Sequence, residues 1–146
     1  MREHMGLYRG RRSDNGAWVD NGEWVEGAFC PRNSRKNSPC IIKLTGAAAG
    51  YWYEVDPDTV GECTGLRDKN GKLIFEGDMC CNTRTGEIVS VKWHGTMAGF
   101  VWSKRKEKSN LFDFGELFRA HDKYEIIGNI HDNPELLEGC ANHAAD

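Results

Sequence analysis

Apolar and polar residues alternate over short runs along most of this chain, and Gly, Asn, Asp and Pro cut the runs apart. Alternation with period two over about four to eight residues marks a half-buried strand. It predicts strands over Leu7–Arg12, Trp24–Phe29, Cys40–Leu44, Tyr51–Val55, Met79–Asn82, Glu87–Trp93, Phe100–Ser103 and Tyr124–Ile130, with a shorter piece at Thr59–Cys63, while Leu73–Phe75 is a brief apolar run. Asn-Gly pairs tolerate positive φ and open tight hairpins. One lies in Lys69-Asn70-Gly71-Lys72, and two more head the tandem copies Asp14-Asn15-Gly16-Ala17-Trp18-Val19 and Asp20-Asn21-Gly22-Glu23-Trp24-Val25. The copy length is even, so the insertion keeps side-chain faces in phase. Pro31–Pro39 reads as an exposed loop and Gly46–Gly50 as a loop tip.

Helical spacing is confined to the end of the chain. Leu111, Phe114, Leu117 and Phe118 share one helical face behind a cap at Asn110, although Gly115 weakens that stretch. Asn133-Pro134 suits a helix start. The expectation is a mainly β, β-rich α+β fold: a compact small β-barrel with one or two short C-terminal helices. A single domain over residues 1–138 and a frayed, flexible tail over 139–146 complete that picture.

Composition narrows the class. The chain has 146 residues, 28% of them charged, and a net charge of −3, which does not fit a strongly basic nucleic-acid packer. No apolar run approaches the roughly 20 residues of a spanning helix, and Met1–Gly10 is polar where a secretory signal would be apolar. The expectation is therefore a cytoplasmic protein without a membrane partner. Residues 1–43 hold eight basic against five acidic side chains, and residues 109–146 two against eight. Such an imbalance steers an anionic partner only when it is clustered in space. Six cysteines occur without a C-x-x-C pair, and five histidines without an i, i+4 pair. Free thiols and no bound metal or cofactor are expected.

Three motifs in order carry a resemblance. Arg9-Gly10-Arg11 followed by Gly22-Glu23-Trp24-Val25-Glu26-Gly27 is the first. The second runs from Val55-Asp56-Pro57-Asp58-Thr59-Val60-Gly61 through Thr64-Gly65-Leu66-Arg67-Asp68-Lys69-Asn70-Gly71-Lys72 to Ile74-Phe75-Glu76-Gly77-Asp78. The third is Ile126-Ile127-Gly128-Asn129-Ile130-His131-Asp132-Asn133-Pro134-Glu135-Leu136-Leu137. Together they resemble the YopX family over residues 9–137. The duplicated Asp-Asn-Gly-x-Trp-Val unit is an addition to that pattern. The resemblance implies a protein of bacteriophages, prophages or other mobile elements in a bacterial host, with no general enzymatic activity. It also implies a β-rich, PUA-like or SH3-like barrel; that likeness does not fix function. Gly22, Trp24, Asp56, Pro57, Thr64, Gly65, Asp68, Gly71, Glu76, Gly77, Asp78, Gly128, Asn129 and Pro134 are then structural residues of the family motifs.

The candidate chemistry is sparse. Glu76 and Asp78 are spaced like paired carboxylates, but Gly77 between them makes a β-turn the simpler account. There is no P-loop and no G-x-G-x-x-G. Trp18, Trp24, Tyr51, Trp52, Tyr53, Trp93 and Trp102 crowd the candidate strands; single-strand RNA binders stack bases on such rings and track phosphates with Lys and Arg. Most tryptophans in a small β domain are core. Tyr51 and Tyr53 must oppose Trp52, so one set faces away from the core. Lys104-Arg105-Lys106-Glu107-Lys108 is the densest basic run and is expected in a loop. Arg9, Arg11, Arg12, Trp52, Lys104, Arg105 and Lys106 are the candidate RNA-binding residues. The favoured function is a non-catalytic regulatory or RNA-binding module on a PUA-like barrel, with single-stranded RNA as the candidate partner. A self-associating accessory protein, a homo-oligomer, is the second reading, and an enzyme using Glu76 and Asp78 the third.

Overall fold

The computed structural model describes residues 6–13, 23–32, 38–44, 50–96, 98–106, 109–113 and 116–136, with the backbone alone for residues 44, 104–106, 109–113 and 116. The chain divides into two compact units, residues 4–63 and residues 64–146.

The first unit is an antiparallel sheet of β1 (Tyr8–Arg11), β2 (Trp24–Cys30), β3 (Cys40–Leu44) and β4 (Gly50–Glu54), ordered β4-β3-β2-β1, with the opening residues of β5 (Gly61–Arg67) beside β1. Its pleat sends alternate side chains to one face. Val25, Ile41 and Val55 are buried there, with Tyr8, Phe29, Tyr53 and Val60 packed against them. Gly10 lies on that face because nothing larger fits: a Cβ at this position would stand 2.9 Å from Val55 Cβ. The Asp56-Pro57 turn secures the end of β1. Asp56 Oδ1 accepts from the Asp58 N–H at 3.0 Å, and the buried Thr59 Oγ1 accepts from the Arg11 N–H at 2.9 Å while donating to Asp56 O at 2.6 Å.

The second unit contains the end of β5, then β6 (Leu73–Phe75), β7 (Asp78–Asn82), β8 (Ile88–His94), β9 (Gly99–Lys106), β10 (Ser109–Asp113), α1 (Glu116–Ala120) and β11 (Tyr124–Asn129). Five of its strands form an antiparallel sheet ordered β10-β9-β8-β7-β11. Cys80, Val89, Val91, Phe100 and Trp102 project from it into a core completed by Ile74, Leu117 and Tyr124. Trp102 is fully buried, edge-on to Tyr124 with ring centroids 4.0 Å apart.

The family-motif residues of this unit hold turns. Thr64 Oγ1 donates to Ile74 O at 2.8 Å and accepts from the Leu66 N–H. Gly65 and Gly71 both adopt positive φ. Asp78 is buried, and its Oδ2 accepts from the Phe75 N–H at 2.7 Å across Glu76-Gly77, where Gly77 takes φ 92°. Asn129 Oδ1 accepts from the N–H groups of His131 and Asp132, and Gly128 leaves no room for a Cβ beside the Asn133 side chain. Asn133 O then accepts from the Leu136 N–H across Pro134.

The mainly β expectation holds, with a short helix near the end. The sheets do not close into a barrel: β4 is an edge of one, and β10 and β11 are the edges of the other. Two further expectations are corrected. Leu111 belongs to strand β10 together with Asn110, and among the described residues the helix runs over Glu116–Ala120, with Leu117 buried and Phe118 52% exposed. Pairing of β10 with β9 satisfies a whole ladder of backbone groups, which four residues at helical spacing cannot outweigh. The same hairpin draws Lys104, Arg105 and Lys106 out of a loop and into β9, opposite Leu111, Asn110 and Ser109. Residues 107–108, residues 14–22 of the tandem copies with Trp18 and Gly22, residues 33–37 and 46–49 of the two expected loops, Phe114 and Gly115 of the expected helix, and the tail over 139–146 lie outside the described residues. Cys30, Cys40, Cys63, Cys80 and Cys81 are not joined in disulfides. Among the described residues no helix is long and apolar enough to cross a membrane.

Candidate nucleic-acid interface

Strand β4 carries the sequence Gly-Tyr-Trp-Tyr-Glu at the edge of the first unit's sheet. Its pairing with β3 sets Tyr51 opposite Lys43, Trp52 opposite Ile42 and Tyr53 opposite Ile41. Directly opposed residues share a face, so Ile41, Lys43, Tyr51 and Tyr53 lie on the face that carries the core. Burial fades outward along it: Ile41 is sealed, Tyr53 is half-buried and Tyr51 is 61% exposed. The two tyrosine rings stand 6.4 Å apart at 33°.

Arg12 reaches the same end of this face. Its guanidinium lies 4.4 Å from the centre of the Tyr53 ring, and Nη1 is 3.4 Å from Glu23 Oε2. The cation–π contact and the ion pair together hold the guanidinium over the ring. A pocket of about 360 Å3 opens here, lined by Arg12, Glu23, Lys43 and Tyr53 together with Leu7, Trp24, Val25 and Glu26. Its wall combines two aromatic side chains, two cations and two carboxylates. Such a wall stacks a flat ring and contacts a neighbouring anion, with little net attraction for a bare polyanion.

The reverse face carries different residues. Arg9 and Arg11 pair with Glu26 and Trp24, and Arg9 lies over the Trp24 ring at 4.9 Å. Trp52, 52% exposed, belongs to this side. The structure therefore brings Arg9, Arg11 and Trp52 to one face and Arg12 to the other. Lys104, Arg105 and Lys106 belong to β9 of the second unit.

Sequence reasoning missed Lys43 and the stacking of Arg12 on Tyr53. The signal was present in part, because Tyr51 and Tyr53 sit two apart on a strand. Which residues oppose them depends on the β3–β4 register, and the sequence of residues 45–49 carries no turn signature beyond Gly46 from which to read it.

Among the tryptophans, Trp102 is core, Trp24 is half-buried under Arg9, and Trp52 and Trp93 are exposed, the latter edge-on to Phe100 at 5.1 Å. Glu76 and Asp78 line neither this pocket nor the polar one between Lys69 and Lys123.

Comparison with known proteins bears on the family alone. The family described as YopX protein matches residues 7–138. No curated protein matches the chain. Among solved structures, protein EF1440 from Enterococcus faecalis is similar, with a TM-score of 0.48 and 24% identity over 90% of this chain and 96% of that one.

Proposed function

This chain belongs to the YopX family, and from that membership and the geometry of β4 we propose a non-catalytic module that binds single-stranded RNA. The setting it fits is regulation by a phage or prophage inside a bacterial host cell. The observation that carries the reading is the graded tyrosine pair: Tyr51 exposed, Tyr53 beside it beneath the Arg12 guanidinium, and Lys43 directly opposite Tyr51. An exposed ring on a rigid strand stacks a base without a large ordering cost, and the two cations meet the flanking phosphates.

The charge balance sharpens the expectation. Arg12 and Lys43 allow at most two phosphate contacts, and single strands lose affinity with a log–log salt slope of about −0.7 per contact. The expected slope is therefore shallow, near about −1.4. Anisotropy of a labelled single-stranded RNA, titrated at several salt concentrations, tests this. Binding with a shallow slope supports stacking. A slope several-fold steeper would place the binding on a different, more basic surface, and flat anisotropy at low salt would remove the RNA reading.

One observation favours a second reading, self-association. β4 is an edge strand with Tyr51 exposed on one face and Trp52 on the other. Exposed, apolar edge strands pair with a second copy unless something blocks them. Light scattering over a concentration series separates the two: a monomer at all concentrations removes this reading and leaves the first intact.

A further inference from the structure

The second unit contains a pocket that the reading above does not use. It has a volume of about 530 Å3 and is lined by Lys69, Asn82, Thr83, Arg84, Thr85, Ala120, Asp122, Lys123 and Tyr124. Three cations and two threonine hydroxyls face a single lining carboxylate, so the pocket is electropositive in a chain whose net charge is −3.

Each cation stands on a braced segment. The turn carrying Lys69 is tied by Asp68, whose Oδ1 accepts from the N–H groups of Asn70 and Lys72. The Lys69 N–H donates to Tyr124 O at 2.8 Å, fixing that turn to β11. Lys69 Nζ donates to Thr83 Oγ1 at 3.1 Å, which aims the ammonium across the pocket and leaves two of its three protons for a ligand. Arg84 sits at the tip of the β7–β8 turn, which Asn82 closes by accepting from the Arg84 and Thr85 N–H groups through Oδ1. Those backbone donors are spent, so recognition falls to the side chains. Lys123 ends the 3-10 turn before β11. Among the described residues, Arg84 and Lys123 form no ion pair. The nearby Glu87 carboxylate is engaged by the Tyr124 hydroxyl at 3.2 Å.

We propose that this pocket binds the phosphate group of a small phosphate monoester. A guanidinium supplies a planar pair of donors to a phosphate, and the two ammonium groups supply point charges around it. The volume lies in the range of small-molecule sites, roughly 300–1,000 Å3, so the group arrives attached to a small molecule rather than as bare phosphate. Thr83 and Thr85 offer hydroxyls to the rest of that molecule. This proposal is independent of RNA binding at β4.

The test is an amide NMR titration of the full chain at low ionic strength with adenosine monophosphate, adenosine and inorganic phosphate as probes. The monophosphate is expected to shift Lys69, Thr83, Arg84, Thr85 and Lys123, adenosine to leave them still, and inorganic phosphate to shift them at higher concentration. Arg84→Ala with Lys123→Ala removes two exposed side chains, and it should weaken the monophosphate by about tenfold or more, as the loss of charge-assisted bonds does. Three outcomes would overturn the proposal: no shift in this region, equal shifts with adenosine, or unchanged affinity in the double variant. Inorganic phosphate binding as tightly as the monophosphate would overturn the assignment of an ester. An Asn82→Ala variant, whose side chain braces the turn without being a cation, separates loss of turn geometry from loss of charge. It should keep the response at Lys123, and losing that response with the cations intact would overturn the charge-based account.

Discussion

The carboxylate of Asp68 accepts a hydrogen bond from the backbone N–H of Ile126 at 3.0 Å, joining positions 58 residues apart in the chain. The same buried side chain accepts from Asn70 and Lys72 through its other oxygen. One residue thereby shapes the Asn-Gly turn and fastens it to the bulged part of β11. Asp68→Ala would remove the partner of three part-buried backbone donors, two of them in an exposed turn. A loss of about 1–3 kcal/mol in urea unfolding is expected. Asp68→Asn keeps the Oδ1 acceptor and should lose less.

The contact between Gly10 and Val55 makes a second prediction. A methyl group at Gly10 falls 2.9 Å from Val55 Cβ and about as close to both its γ-carbons. Gly10→Ala should destabilise by about 1–3 kcal/mol through overpacking. Adding Val55→Ala removes two of the three clashing atoms, so the double variant should cost less than the sum of the singles. Denaturant midpoints of the four proteins in the cycle measure this. Strict additivity would show that the strands separate freely there.

Most strands are legible in the residue pattern alone. Cys40–Leu44 forms a strand with the bounds that its alternation predicts, and the period-two spacing of Tyr51, Trp52 and Tyr53 sets them on opposite faces, as found. The turn residues Asp56 and Asp78 announce themselves because a short carboxylate beside Pro or Gly has few other uses, and Asp68 stands three residues before Gly71 of the Asn-Gly turn. Helical spacing at Leu111 misleads because local periodicity carries no knowledge of the partner strand β9. The site is legible only in its aromatic half. Lys43 and Arg12 reach the tyrosines through register and through the end of β1, and Lys69, Arg84 and Lys123 converge from three turns. Neither convergence leaves a spacing in the sequence.

Cys81 supplies a pH-dependent prediction. Burial raises its thiol pKa above the ordinary value, and the carboxylate of Glu125, its partner across β7 and β11, raises it further. Both effects oppose the thiolate, which is the nucleophile. Alkylation of Cys81, followed by peptide mass spectrometry, should lag a free cysteine peptide near about pH 8, with an inflection above the free thiol's roughly 8.5. Glu125→Gln should move that inflection downward. Folding raises this pKa, so the thiol favours the native state fully below the unfolded value, and that contribution is lost as pH rises through the folded one.

The central claim is that a base stacks on the Tyr51 side of β4. Anisotropy of one labelled single-stranded RNA with wild type, Tyr51→Ala and Trp52→Ala tests it most directly, because the two rings are adjacent, exposed and on opposite faces. Loss of a stacked base costs about 1–3 kcal/mol, so Tyr51→Ala should weaken binding by roughly fivefold to a hundredfold, while Trp52→Ala stays within about twofold. Equal affinity for Tyr51→Ala and wild type, or a loss confined to Trp52→Ala, would contradict the account.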